Sequence, residues 1–285
     1  MNEDDGTIAD AVRAWLGEAS LDPKWVFSDV GNQGYSGGHN RLLAELFSAG
    51  TLAIDGVLVL NPDVVAEPGL VSAVTDFAAS RCDPMLVGPL LELADADTLA
   101  GEGVIDTCGT VWDRWARHHD LAQGRPIAEA PTAPQKTAGI SGACIYVPRA
   151  AYERVIDATG EFFDADFIAY REDAELGIRA ALVGVESWVV PAARGRHVRR
   201  LRGTSRGVSA HIDRLSVRNR FLMRFKLGTY RPGGRLAATF RDVAVVAGVL
   251  LREPRSLSGL LDAVRLRGAM RRKHARLCLA ERVNA

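Results

Sequence analysis

Residues 57–64 read Val57-Leu58-Val59-Leu60-Asn61-Pro62-Asp63-Val64. Four consecutive apolar residues fit a strand buried on both faces. That strand stops at Asn-Pro-Asp, so it ends by presenting a carboxylate. Lys24–Phe27 and Met85–Val87 are similar short strand candidates, and Ala138–Val147 is a longer one. Between them lie helical patterns. Thr7–Leu16 places Ile8, Val12, Trp15 and Leu16 on one face; Arg41–Ala49, Pro68–Ser80 and Pro148–Asp157 follow. This alternation predicts an α/β fold, a mostly parallel sheet with flanking helices. In such sheets ligands bind beyond the carboxyl ends of the strands, which is where Asn61 and Asp63 fall. Residues 92–137 hold Trp112, Trp115, His118, His119 and a Pro/Ala-rich stretch at 126–134, and read as an irregular excursion over the sheet.

The 285 residues carry no formal net charge, but the balance hides a division. Residues 194–285 hold 23 Lys+Arg against 5 Asp+Glu, a net +18, and residues 1–193 hold 12 against 30, a net −18. A basic C-terminal third predicts an anionic partner: a phosphorylated substrate, an anionic membrane surface, or the acidic body of the same chain. Nucleic acid is disfavoured, because these arginines lie among apolar helix positions without an aromatic stacking platform. Leu236–Leu251 is the most apolar long stretch, but Arg241 and Asp242 interrupt it, so no spanning helix is predicted. The opening MNEDDGT is polar and acidic, unlike a signal peptide. Cys82, Cys108, Cys144 and Cys278 match no metal or redox spacing and read as reduced, buried thiols of a cytoplasmic protein. The region 207–285 reads as basic helices, divided at Gly233-Gly234 and again at Pro254, after a body at 1–206.

Four stretches could carry chemistry. Asp63 at a strand end can hold Mg²⁺ or Mn²⁺ through oxygen, although Asn-Pro-Asp is also good turn chemistry. Residues 163–176 are dense in acids: Asp164, Asp166, Glu172, Asp173 and Glu175. A carboxylate there can act as a general base, while acids also suit a first helical turn, and Glu175–Arg179 suits an i,i+4 pair. His197 stands among Arg194, Arg196, Arg199 and Arg200, which should disfavour its protonation and leave a neutral imidazole for a metal. Gly34–Asn40 is a glycine-rich turn entering a helix, a place where backbone can approach phosphate. His118-His119-Asp120 is a weaker rival, because adjacent helical histidines point apart.

The order of these pieces is more specific than any one of them. Asn32 to Asn40 resembles an N-x-G-F/Y-x-x-G-x-N turn. Leu60-Asn61-Pro62-Asp63 resembles an L-N-P-D form of the metal-binding D-x-D motif. Ser141-Gly142-Ala143 with Pro148-Arg149 resembles the strand before an acceptor-side helix. Phe163-Asp164 through Glu172-Asp173 resembles F-D-x-x-F-F-x-Y-x-E-D, and His197 with Ser205 resembles a later H-x(n)-S segment. Together they resemble the inverting nucleotide-sugar glycosyltransferases of family 2, with the Rossmann-like GT-A fold, in their bacterial rhamnosyltransferase-like branch. The match runs from about Asp5 to about Phe225. Asn61 stands for the first Asp of D-x-D, Glu175 for a second Asp after E-D, and Ile168 for a Phe.

The resemblance implies the following roles. Asp63 and His197 bind the divalent cation. Gly34, Gly38, Asn40, Asn61 and Arg196 line the donor, a nucleotide-diphosphate sugar for which rhamnose is the branch's indication. Asp173 is the catalytic base, with Glu172 beside it. Ser141, Gly142 and Asp164 face the acceptor, a glycan or polyprenyl-diphosphate-linked sugar of cell-wall or surface polysaccharide synthesis. The enzyme would then work in the cytoplasm, peripheral on the inner face of the membrane, its basic helices resting on anionic lipid. The family also opens with a strand, a helix and a second strand that build the nucleobase pocket. Asp5-Gly6-Thr7 resembles the D-G-T just after them, so an N-terminally truncated form is expected, with a misassigned start codon the preferred explanation. The competing reading is an inactive homologue that binds a glycan, a lipid or a partner protein.

Overall fold

The computed structural model describes residues 31–48, 54–199, 206–228 and 234–284. In chain order the elements are α1 (Gly34–Ser48), β1 (Gly56–Leu60), β2 (Val64–Ala66), α2 (Leu70–Ala79), β3 (Met85–Ala94), β4 (Gly101–Thr107), β5 (Thr110–Trp112), β6 (His118–Asp120), β7 (Gln135–Thr137), β8 (Cys144–Pro148), α3 (Arg149–Thr159), α4 (Glu172–Leu182), β9 (Glu186–His197), α5 (Arg206–Leu227), α6 (Arg235–Arg252) and α7 (Leu257–Asn284). The strand proposed at Lys24–Phe27 and the helix at Thr7–Leu16 lie outside the described residues.

The main sheet runs β1-β8-β3-β9-β2, with β4 added to β3 and β7 to β9; β5 and β6 form a separate hairpin. It is mixed. Among the described residues β3–β9 is the parallel pair, and β1–β8, β3–β8, β3–β4, β2–β9 and β7–β9 are antiparallel. The mostly parallel sheet read from the alternation is therefore corrected. The short connection from Ala94 to Gly101 folds β4 back antiparallel on β3, while β2, β7 and β8 run against partners distant in sequence. These pairings still leave β1, β3 and β9 pointing the same way. Their carboxyl ends share one edge, and the candidate residues gather there.

Residues 92–137 are more ordered than their composition indicates. They complete β3 and supply β4, β5, β6 and β7. The strand expected from Ala138 starts at Cys144, because the preceding loop carries Gly139 and Gly142. α1 starts at Gly34, so the glycine-rich turn is mostly helix.

Helices cover both faces. On one, α2 sets Leu70 and Val74 against Met85, Val87, Leu91 and Val190. On the other, Phe162, Phe163, Phe167, Leu176 and Val155 share one core with Leu222, Met223 and Leu227 of α5 and Met270 and Leu277 of α7. Each such fully buried side chain is worth about 1.5–3 kcal/mol. The basic helices α5 and α7 thus share the body's core and do not form a detached region. Charge follows packing: buried Lys226 of α5 reaches Asp164 at 2.7 Å and Glu175 at 2.8 Å, and Lys273 of α7 reaches Asp164 at 2.5 Å. Cys108 and Cys144 are buried as expected, but Cys82 is exposed. Among the described residues no helix is long and apolar enough to cross a membrane.

Candidate active site

Strand pairing builds the first half of the site. β2 lies antiparallel to β9 with Val64 opposite His197, and Val198 N–H donates to the Asp63 carbonyl at 2.9 Å. The Asp63 carboxylate consequently meets His197 Nε2 at 3.6 Å. Asn61-Pro62-Asp63 is a turn as well: Val64 N–H donates to the Asn61 carbonyl, and Asn61 N–H donates to Ala143. The turn reading of this tripeptide therefore holds, and the turn aims the carboxylate at His197.

The other imidazole nitrogen, Nδ1, lies 2.8 Å from Asp106, a fully buried acid on β4. Arg199 bridges Asp106 at 2.5 Å and Asp120 at 2.6 Å. Burial pulls the His197 pKa down, but hydrogen bonds to Asp106 and Asp63 outweigh it and push the imidazole up to about 9. The expectation of a neutral His197 is corrected: its near neighbours in space are the carboxylates of Asp63 and Asp106, and Arg199 is turned onto Asp106 and Asp120. Sequence reading missed Asp106 and Arg199. A lone acid in the run Val104-Ile105-Asp106-Thr107-Cys108 was the available signal, because a buried carboxylate requires a partner.

The second half sits at the start of α4. Ile168, Tyr170 and Arg171 all have positive φ, a strained run leading into Glu172-Asp173. Contacts from both sides hold it. The Asn219 amide of α5 donates to the carbonyls of Phe167, Ala169 and Tyr170 at 2.7–2.8 Å, and Ser36 N–H donates to Ile168 at 3.0 Å. Gly34 is required here: its φ is +69°, and a Cβ would stand 2.6 Å from Ile168 Cγ2.

Asp173 accepts from Gly142 N–H at 3.1 Å and from Ala174 N–H at 2.7 Å. Tyr35 Oη donates to the Gly142 carbonyl at 2.6 Å. The backbone of Gly142 is therefore gripped on both sides, its N–H by the candidate base and its carbonyl by a phenol. The chain crowds around Asp173, yet the residue keeps an exposed edge. Burial raises its pKa, the Gly142 hydrogen bond opposes this, and the charge of Asp120 adds to the rise. Asp120, held by Arg199 at 2.6 Å on the His197 side, thus also acts on Asp173 through its charge. Burial, followed by the Asp173 charge, pushes Glu172 up to about 8. Burial and the neighbouring Glu172 and Asp173 also raise Tyr35. Ser141 Oγ accepts from Ala143 N–H at 3.4 Å within the same loop.

Several expected site residues have other work. The Asn40 side chain donates to the Phe163 carbonyl at 2.7 Å and accepts from Phe163 N–H at 2.8 Å, so both ends of its amide serve as a backbone clamp. Asp164 is fully buried on Lys226 and Lys273, which overcome its burial and hold its pKa at about 2; it anchors helices and does not face an acceptor. Arg196 alternates to the strand face opposite His197, donates to the Leu99 carbonyl at 2.7 Å and lies 3.7 Å from Glu67. Gly34 serves packing, and Gly38 lies inside α1. His118 is on strand β6, not on a helix; burial and the charge of Arg171 push its pKa down to about 3.

The donor set at Asp63–His197 is one carboxylate oxygen and one imidazole nitrogen, with the second nitrogen fixed by a carboxylate. That is the arrangement of a metal-ligating histidine with its outer-shell partner. Among the described residues no group of three His, Cys, Asp or Glu side chains could hold a metal alone. Two protein donors suit a cation that displaces the proton from the His197 imidazole and takes its remaining ligands from phosphate oxygens and water.

No family model matches the chain. It is 29% identical over 197 residues to the N-acetylglucosaminyl-diphospho-decaprenol L-rhamnosyltransferase of Mycobacterium tuberculosis, in strains CDC 1551 / Oshkosh and ATCC 25618 / H37Rv. The alignment covers 64% of this chain and 60% of the relative, so the chain spans about 60% of the length of these relatives. The resemblance to the rhamnosyltransferase-like branch of family 2 therefore extends from motif order to aligned sequence. Among solved structures, the crystal structure of GalNAc-T7 with UDP, GalNAc and Mn²⁺ aligns over 90% of this chain and 50% of its own, with 13% identity and a TM-score of 0.49.

Proposed function

We propose that this chain is an inverting glycosyltransferase. It moves a sugar from a nucleotide-diphosphate donor to a hydroxyl of a polyprenyl-diphosphate-linked glycan. By analogy with the relative's name, the sugar is rhamnose and the acceptor carries N-acetylglucosamine. The observation that supports this best is that one loop, Ser141–Ala143, joins the two acidic groups: Asn61 N–H, two residues before Asp63, donates to the Ala143 carbonyl at 2.9 Å, and Gly142 N–H donates to Asp173 at 3.1 Å.

Asp173 takes the proton from the acceptor hydroxyl. Its raised pKa suits that work, because a base is most effective when its pKa approaches the working pH. Gly142 N–H and the Tyr35–Gly142 hydrogen bond hold the carboxylate in place. Glu172, pushed up to about 8, is largely protonated at neutral pH, so the pair does not carry two full charges against each other. Attack on the anomeric carbon in one displacement inverts its configuration. Asp63 and His197 would hold Mg²⁺ or Mn²⁺, which when bound stabilises charge on the departing diphosphate. Asp106 and Arg199 keep the imidazole oriented for that role.

The test is nucleoside-diphosphate release from a panel of nucleotide sugars, with a polyprenyl-diphosphate N-acetylglucosamine acceptor and Mg²⁺ or Mn²⁺. Turnover with a thymidine-diphosphate rhamnose donor is expected. Failure with every donor, together with no calorimetric binding of nucleoside diphosphate in Mn²⁺, would replace this reading with the inactive binding protein.

A further inference from the structure

α6 wears its apolar side outward. Leu236, Phe240, Val243, Leu250 and Leu251 follow a helical period along one face, and Leu236 is 89%, Phe240 70% and Leu251 81% exposed. Its inward face buries Ala238 and Val249 and, between them, the acid Asp242, 2.7 Å from Arg220 of α5. The helix is also tied to the body by Gly234 N–H donating to the Arg114 carbonyl at 3.1 Å. At its amino end Phe240 lies 6.5 Å from the exposed indole of Trp115, which the Arg114 guanidinium covers. Soluble surfaces scatter single apolar residues, whereas a continuous stripe this long marks a contact.

We propose that α6 lies in the plane of an anionic bilayer surface, with this stripe among the acyl chains and its flanking arginines on lipid phosphate. Arg241 and Asp242 interrupt the 18-residue helix, which is not apolar enough to cross a bilayer and would lie along its surface. Arg235, Arg252 and Arg255 are exposed at its two ends. They match the headgroups of an anionic leaflet, and Trp115 and Phe240 supply the aromatic character favoured at that depth. A second copy of the chain fits less well, since a two-fold contact along α6 would set these arginines against their own equivalents. The inference does not depend on the catalytic reading, as vesicle binding requires neither sugar donor nor metal.

Flotation of the full chain with phosphatidylcholine vesicles, with and without phosphatidylglycerol, tests it. The chain is expected to float with vesicles containing phosphatidylglycerol and to stay behind with phosphatidylcholine alone. The double variant Phe240→Asp/Leu251→Asp, at exposed positions, should weaken binding by about a hundredfold or more with an unchanged melting temperature. Arg252→Gln/Arg255→Gln should weaken only the binding to anionic vesicles. Wild-type protein that ignores anionic vesicles, or a Phe240→Asp/Leu251→Asp variant that floats as well as wild type, overturns the proposal. So does a wild-type dimer that this variant dissolves without any vesicle binding.

Discussion

Between Asp164 and Glu175 the chain carries two kinds of buried acid, and their contrast is instructive. Asp164 and Glu175 are fully buried and meet Lys226, Lys273 and Arg179, so their pKa values fall despite burial. Glu172 and Asp173 are crowded too, but they are set against each other and against backbone N–H groups, and theirs rise. Burial is common to both pairs; the cation decides the outcome. The first pair fastens helices to the body, and the second is left with an affinity for protons.

Asp173→Asn tests the contrast hardest. Turnover should fall by about a thousandfold, with the melting temperature nearly unchanged, as measured by nucleoside-diphosphate release and thermal unfolding. Asp164→Ala should show the reverse. Leaving Lys226 and Lys273 short of an anion costs about 3–5 kcal/mol of stability, to be read from urea unfolding. The sign with pH follows. The folded pKa of Asp164, about 2, lies below its ordinary 3.8, so its contribution is present above about pH 4 and is lost as pH falls toward 2. In Asp164→Asn that acid-side loss should flatten.

Smaller effects sharpen the comparison. Asp106→Asn should weaken Mn²⁺-dependent binding of nucleoside diphosphate by about 10–100-fold, seen by calorimetry, because it removes the anchor of the His197 ring. Tyr35→Phe strips the hydrogen bond from the Gly142 carbonyl and should cost about 1–2 kcal/mol of stability in urea unfolding. Asp120→Asn should move the acid limb of the kcat/KM profile to lower pH, since Asp120 is one source of the Asp173 rise. An unmoved limb would detach the two halves of the site.

Asp63, Glu172-Asp173 and His197 were legible because local patterns mark them: a strand end, an acid pair at a helix start, a histidine near a strand's close. The roles of Asp164 and Asn40 were not. Both depend on partners far along the chain, Lys226 and Lys273 for one and the Phe163 backbone for the other, and no local spacing encodes them. His197 shows the same limit in its charge. Sequence neighbours offered arginines, whereas the fold offered Asp63 and Asp106. Strand direction was misread for a related reason. Hydrophobic runs reveal that a segment is a strand, and only the connections between segments decide which way it runs.

The Asn219 amide has a consequence for where this chain can be divided. It belongs to α5, beyond the last strand, yet its two N–H bonds are shared among three carbonyls of the strained run before Glu172. A polypeptide ending at β9 would keep every candidate catalytic side chain and lose the group that holds two of them at their positions. Charge and composition draw a border near residue 194; the backbone around the base ignores it. The basic third is therefore a working part of the body that carries the candidate site, whatever else it touches.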